Sequence, residues 1–281
     1  MAFRFQRRIL PGFQLALGTT LLWVGVIVLL PVLGLAGKVA AAPWTHVWAS
    51  ITDPRVVASY RLSFGLSLAA AFVDAVFGGL LAWALVRYEF PGKRLVDALV
   101  DLPFALPTAV AGLALTALYA PNGLLGKPLL EGFGVKVAYT PLGILVALVF
   151  IGFPFTVRTL QPVIADIAVE LEEAAACLGA RRGYTFRRVI VPSLLPPLLT
   201  GFALAFGRAV GEFGSVVFIA GNLPFKTEIT PLLIIIKLEQ FDYEGAAAIG
   251  LLMLLASFTI LLSVRGLEGW QHRRIGVQTR D

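Results

Sequence analysis

Six segments of this chain are apolar for long enough to cross a lipid bilayer, and that fact restricts the fold more than any other. They lie at about 13–37, 60–86, 95–119, 140–160, 194–220 and 245–265. A crossing helix needs roughly 20 apolar residues. Hydrocarbon offers no water to pair with free N–H and C=O groups, so only helices and closed barrels span it. The runs are far longer than the roughly 10 residues of a barrel strand. Composition agrees: 58% of the 281 residues are hydrophobic and 14% are charged, where a soluble domain carries about 25% charged residues. The expected fold class is an all-α integral membrane protein with six transmembrane helices. No internal repeat, low-complexity tract or linker divides it, so one domain is expected over 1–281.

The first segment resembles a signal peptide at its edges, with Arg4, Arg7 and Arg8 before it and Ala40-Ala41-Ala42 after it. Its apolar stretch from Phe13 to Gly37 is 25 residues long, against roughly 7–15 for a cleaved leader. A retained helix is expected. With the N-terminus inside, 15 of the 23 Lys and Arg residues fall in cytosolic segments, seven fall outside, and Arg208 lies within a span. This is the positive-inside bias, so both termini are expected in the cytosol of a multi-pass protein. The net charge of +6 then has a membrane explanation, and no nucleic-acid partner is inferred.

Several chemistries lack their residues. The single cysteine, Cys177, excludes an internal disulfide, and the two histidines, His46 and His272, are far apart. A metal site therefore has little support, and no cofactor is expected. The nearest approach to a phosphate loop is Pro121-Asn122-Gly123-Leu124-Leu125-Gly126-Lys127-Pro128. It has proline where that loop needs its first glycine and proline where it needs a Ser or Thr hydroxyl. Any ATP-driven work must be fuelled by another subunit, and no catalytic residue is assigned.

Between spans four and five, residues 158–193 form the one sizeable charged island. Glu170, Glu172 and Glu173 stand at the start of a helical run, where acids complement the helix dipole. Ala174, Ala175, Ala176 and Leu178 favour helix, and Gly179 can take the left-handed conformation that closes it. A second short helix over Tyr184–Val189 is expected to stop before Pro192. Together they make a compact water-facing knob. Two readings stand side by side: a docking element for a soluble partner, or an amphipathic loop held by anionic lipid.

Span five carries Arg208 and Glu212, four residues apart and able to pair on one helix face. A central intramembrane charge costs about 2.5–3.5 kcal/mol, so the pair should face protein or water. Ala203, Gly207, Gly211 and Ser215 recur every four residues, a spacing that lets another helix approach closely. The pair can attract an anion, act as a gate, or only fix packing. In span three, Pro103 and Pro107 each delete a helix hydrogen bond and should bend or interrupt the helix, as a packing kink or as part of a transport route. Asp74 in span two is an acid without an evident partner.

The spacing of Glu173-Ala174-Ala175, three residues, Gly179, nine residues, then Val189-Ile190-Val191-Pro192 resembles the signature loop of ABC importer permeases. Val189 and Val191 replace the usual Ile and Leu and keep an apolar side chain. Leu102-Pro103-Phe104-Ala105-Leu106-Pro107-Thr108-Ala109-Val110-Ala111-Gly112 is similar to the third-span motif of oxyanion importers. Arg208-Ala209-Val210-Gly211-Glu212-Phe213-Gly214 is similar to a motif shared by sulfate and molybdate permeases. Ile219-Ala220-Gly221-Asn222-Leu223-Pro224 and Glu239-Gln240-Phe241-Asp242-Tyr243 resemble the T-type sulfate/thiosulfate importer permeases. The likeness runs from about Tyr60 to Arg265.

The resemblance implies a MetI-like, type I ABC importer transmembrane domain in the bacterial inner membrane, with its core at about 60–265. It also implies that Glu173, Ala174, Ala175, Gly179 and Pro192 belong to a coupling helix docked in a cytosolic ATPase. The implied partners are two copies of an ATP-binding subunit, a homologous W-type permease and a periplasmic sulfate-binding protein. Arg208, Glu212, Pro103 and Pro107 would then shape the pathway or its gate. The alternatives are a molybdate or tungstate permease and a proton-coupled carrier using Asp74 or Glu212. An intramembrane enzyme would need a nucleophile with a base, or a metal cluster, and neither histidine lies within a span.

Overall fold

The structure, a computed structural model, describes residues 13–275, and every described element is helical. Arg4, Arg7, Arg8 and Arg280, on which the placement of the termini partly depends, lie outside the described residues. Of His272, Arg273 and Arg274 only the backbone is described. Five helices are long and apolar enough to cross a membrane. They are α1 (Leu15–Ala41), α3 (Pro54–Arg87), α8 (Pro141–Asp166), α10 (Arg182–Val210) and the first part of α13 (Tyr243–Ile275). Short helices α2 (Trp44–Thr52), α4 (Lys93–Val100), α5 (Leu102–Ala105), α6 (Thr108–Tyr119), α7 (Gly126–Phe133), α9 (Val169–Cys177), α11 (Val216–Ile219) and α12 (Thr230–Glu239) fill the connections.

The sixth expected span, 95–119, is not one helix. It is divided into α4, α5 and α6, with Leu106 extended (φ −92°, ψ 134°) and Pro107 leading into α6. Proline drives its preceding residue out of the helical region, so interruption, rather than bending, is the outcome at Pro107. Span five also ends early: α10 stops at Val210, and Gly211–Ser215 turn before α11. At its other end α10 runs straight through Pro192, where the sequence suggests a stop. A wider π-turn over Phe186–Ile190 precedes that proline. Such a turn loosens the ladder that a proline ring otherwise clashes with.

Helix α8 is the central post, packed along α3 and α10. Contact is close because glycines remove side chains at the crossings. A Cβ on Gly78 or Gly201 would come within 3.1 Å of Thr156. Ala82, Leu85, Val100, Val157, Leu160 and Ile164 fill the end of the bundle nearest α9, and Ile144, Leu148, Val216, Ile219 and Ile229 lie in the core at the far end. Helix α1 stands apart, with none of its span buried, and touches the bundle along α13.

The far end is tied by Asp242. Its carboxylate accepts from His46 Nε2 (2.9 Å), Lys237 Nζ (2.9 Å) and Gly245 N–H (2.8 Å), joining α2, α12 and the N-terminus of α13. Burial pushes this acid up, but the Lys237, His46 and Gly245 hydrogen bonds outweigh it and hold the group down at about 2, from 3.8. A depressed carboxylate stabilises the fold above its unfolded value and ceases to do so as pH falls through its folded value. Asp242→Asn should therefore lower stability near neutrality, by on the order of 1 kcal/mol. It should also flatten the loss between about 3.8 and about 2 that the parent shows. Thermal melts in detergent across that range measure both.

Candidate functional site: a surface knob and an intramembrane ion pair

The knob is α9, a turn, and the first residues of α10. Glu170 and Glu172 occupy the first turn of α9. Gly179 has φ +81°, Gly179 N–H donates to Ala176 O (2.9 Å) and Ala180 N–H to Ala175 O (3.0 Å). Those two bonds are the Schellman closure that a left-handed glycine permits. A Cβ at position 179 would meet no atom within 4 Å, so conformation, not space, selects glycine. Helix α9 buries none of its residues. Glu173, Ala174, Cys177 and Gly179 are exposed, and Leu178 is 88% exposed. Pro192 is not with them; it sits ten residues into α10 and is half-buried. Behind the knob a groove of about 970 Å³ separates it from α3 and α10, lined by Leu80, Trp83, Phe186 and Leu194 among others.

The intramembrane pair forms as its spacing suggests, at the end of a helix. Arg208 Nη1 donates to Glu212 Oε2 at 2.5 Å. The other carboxylate oxygen accepts from Ser215 N–H (2.9 Å) and Ser215 Oγ (3.0 Å). Glu212 thus acts as a cap for the turn into α11, and it is 3% exposed while the Arg208 side chain is 34% exposed. The stripe Ala203, Gly207, Gly211, Ser215 is split by this turn, yet its members still admit neighbours. Gly207 faces Leu261 of α13, and a Cβ on Gly112 would stand 2.4 Å from Ser215 O. Likewise a Cβ on Gly214 would stand 2.2 Å from Thr108 Oγ1. The two helix breaks, at Pro107 and at Gly211–Ser215, therefore lie against each other.

Pro103 belongs elsewhere. It is in α5, whose Phe104 ring meets Phe155 of α8 edge-on at 5.2 Å. Beside it lies a clamp that the sequence reading missed. Arg158 donates to Asp101 Oδ1 (2.8 Å) and Oδ2 (2.6 Å), Asp97 Oδ1 (2.7 Å), Asp97 O (2.9 Å) and Gln161 Oε1 (2.5 Å). Asp97 and Asp101 recur at helical spacing, as do Arg158 and Gln161. The signal was present, but nothing in sequence relates one pair to the other. Arg55 with buried Glu228 is a second such pair. Asp74 is wholly buried, with neither oxygen hydrogen-bonded among the described residues, and Gly152 presses against it.

A lipid-solvated bundle with broken helices meeting inside it and an exposed charged knob outside it has the make-up of a transport permease. The chain belongs to the family of binding-protein-dependent transport system inner membrane components, whose model matches residues 74–277. It is a multi-pass inner-membrane permease component rather than an enzyme. Among its relatives, it is 49% identical to the sulfate transport system permease protein CysT of Salmonella typhimurium over 96% of this chain and 97% of that one. The CysT proteins of Escherichia coli and Synechococcus elongatus are each 50% identical, over 96% and 92% of this chain and 97% and 92% of theirs. In fold, it matches a bacterial ABC transporter that imports the acidic polysaccharide alginate, with TM-score 0.74, 18% identity and 94% and 95% coverage. A complex of bacterial alginate ABC transporter with an alginate-pentasaccharide-bound periplasmic protein gives 0.75 at 17% identity, with 94% of each chain covered. The importer-type, MetI-like transmembrane domain expected from the motifs is thus present.

Because Glu212 is buried and serves two donors besides Arg208, the two halves of the pair are unequal. Glu212→Ala strands Ser215 N–H and the guanidinium, and should cost about 3 kcal/mol. Arg208→Ala leaves the carboxylate its two serine bonds but no counter-charge for a buried group, and should cost about 2 kcal/mol. Detergent unfolding midpoints of the two variants give the order.

Proposed function

We propose that this chain is the permease half of an ATP-driven importer of sulfate, and of thiosulfate, which shares its charge and tetrahedral shape. The observation that carries this reading is identity near one half with sulfate permeases along nearly the entire length of both chains. A match of that extent spans the knob, both helix breaks and the ion pair.

The bundle carries no phosphate loop, so hydrolysis belongs to ATP-binding subunits, two copies of which dock on the knobs of two permeases. Glu173, Ala174, Ala175 and Gly179 form the docked surface. The exposed small side chains admit it to a cleft, while Glu173 meets a basic rim. Pro192 marks where α10 leaves the coupling loop for the membrane. A homologous W-type permease completes the pathway, and a periplasmic sulfate-binding protein delivers the dianion to the far end. The basic excess puts the knob and both termini in the cytosol, where Arg181, Arg182, Arg187 and Arg188 also meet anionic lipid. Arg208, paired with buried Glu212 and itself partly exposed, presents the positive end of that pair where the breaks at Pro107 and Gly211–Ser215 meet, and Pro103, in the first turn of α5, sets the approach to it. Opening and closing follow from rocking of the two permeases about that point.

Purified with its partner subunits in proteoliposomes, the chain should accumulate labelled sulfate only with ATP and binding protein, and thiosulfate should compete better than molybdate. ATP-independent accumulation by the chain alone would refute this. Gly179→Val places a β-branched side chain at φ +81°, a conformation such residues avoid. It should still insert, yet should lose the ATP-binding subunits on affinity purification and with them uptake. Undiminished co-purification would count against docking at the knob.

A further inference from the structure

The knob has to be joined to the spans by something that holds its distance from them, while allowing it to turn, if its displacement is to reach them. Helix α9 buries none of its residues, and the groove of about 970 Å³ lies between it and both α3 and α10. Arg87, the last residue of α3, bridges that gap. Its Nη2 donates to Ile167 O at the end of α8 (3.3 Å) and lies 3.1 Å from Glu172 Oε1 of α9. Its guanidinium stands 5.2 Å from the centre of the Trp83 ring, one turn earlier in α3. The Trp83 ring meets Phe186, in the π-turn of α10, edge-on at 5.8 Å. Arg87 thus gathers the end of α3, the end of α8 and the knob, and Trp83 extends the contact to the root of α10.

The quality of its bonds separates Arg87 from the other arginine at this end. Arg158 has every donor group matched, and such a clamp holds α4, α5 and α8 together as one body. Arg87 is buried to 18% exposure, yet its Nε has no hydrogen-bond partner among the described residues, and Glu172 Oε1 faces it without hydrogen-bond geometry. An ion pair held by charge and stacking, with donors to spare, tolerates rotation of one partner about the other. A fully matched one does not. The geometry points to Arg87 as the positioning residue that passes displacement of the knob to span α3, with Trp83 and Phe186 carrying the same movement to α10. This rests on the importer reading and adds the joint through which the motor's work enters the membrane.

The test uses the complete importer in proteoliposomes, comparing Arg87→Gln, Arg87→Lys and Glu172→Gln with the parent. Arg87→Gln should keep its ATP-binding subunits and hydrolyse ATP, but its sulfate uptake per ATP should fall about tenfold. Arg87→Lys keeps the charge and should recover part of the ratio, and Glu172→Gln should lower it if the glutamine variant of Arg87 fails to fold. An unchanged ratio in both glutamine variants would overturn the proposal, as would loss of the ATP-binding subunits from them, which would make this a docking contact. A second readout does not depend on the substrate. Val169→Cys, on the groove side of α9, and Phe77→Cys on α3, in a Cys177→Ser background, accept spin labels. Their separation should hold steady when nucleotide is added to the parent and should change with nucleotide in Arg87→Gln. Identical behaviour of the two would overturn the joint even if the importer moved some other anion. Failure of the parent to take up sulfate, with the label result intact, would overturn only the substrate.

Discussion

Inside a bilayer an open carbonyl or amide has no water to turn to, and most of the irregular features of this chain answer that constraint. A helix may be broken at membrane depth only where the protein supplies the missing partners. Here two breaks are set against each other, and Glu212 closes one by accepting from the backbone and hydroxyl of Ser215. Gly112 and Gly214 let the opposing segments approach until backbone meets backbone or the Thr108 hydroxyl. The ion pair with Arg208 is the outward half of the same arrangement, with one end of the carboxylate committed to structure and the other to charge.

The arginines divide by how completely they are matched. Arg158 is saturated by two carboxylates, a carbonyl and an amide, and Arg55 grips Glu228 with both arms of its fork. Matched in this way, they behave as rivets. Arg208 and Arg87 each keep donor capacity in reserve, the first beside the two helix breaks and the second beside the knob. This contrast is chemical rather than positional, because all four residues belong to long helices of similar composition.

Much of the architecture was legible in the sequence because it follows from local rules. Length and hydropathy gave five of the spans, left-handed glycine at Gly179 gave the end of α9, and four-residue spacing gave the Arg208–Glu212 pair. What escaped depended on partners distant along the chain. Pro107 announces a bend or break in span three, but not the turn about a hundred residues later that the break lies against. The stop foreseen before Pro192 fails because a π-turn, set by no motif, relieves the ring. The Arg158 clamp and the junction at Arg87 join residues 57 and 85 positions apart, beyond the reach of periodicity. Helix α12 escaped for the opposite reason: its ten residues, six of them Leu or Ile, are too few to span.

Helix α1 bears on how the protein is made. Its main packing is on α13, and no part of its span is buried within this chain, so it needs little from the rest of the bundle to be accommodated in lipid. It can enter the membrane on its own hydrophobicity and wait there. The central trio of α3, α8 and α10 cannot close until synthesis has passed Val210. The nucleus of assembly is therefore late in translation, and α1 serves as a mooring that holds the unfinished chain at the bilayer meanwhile.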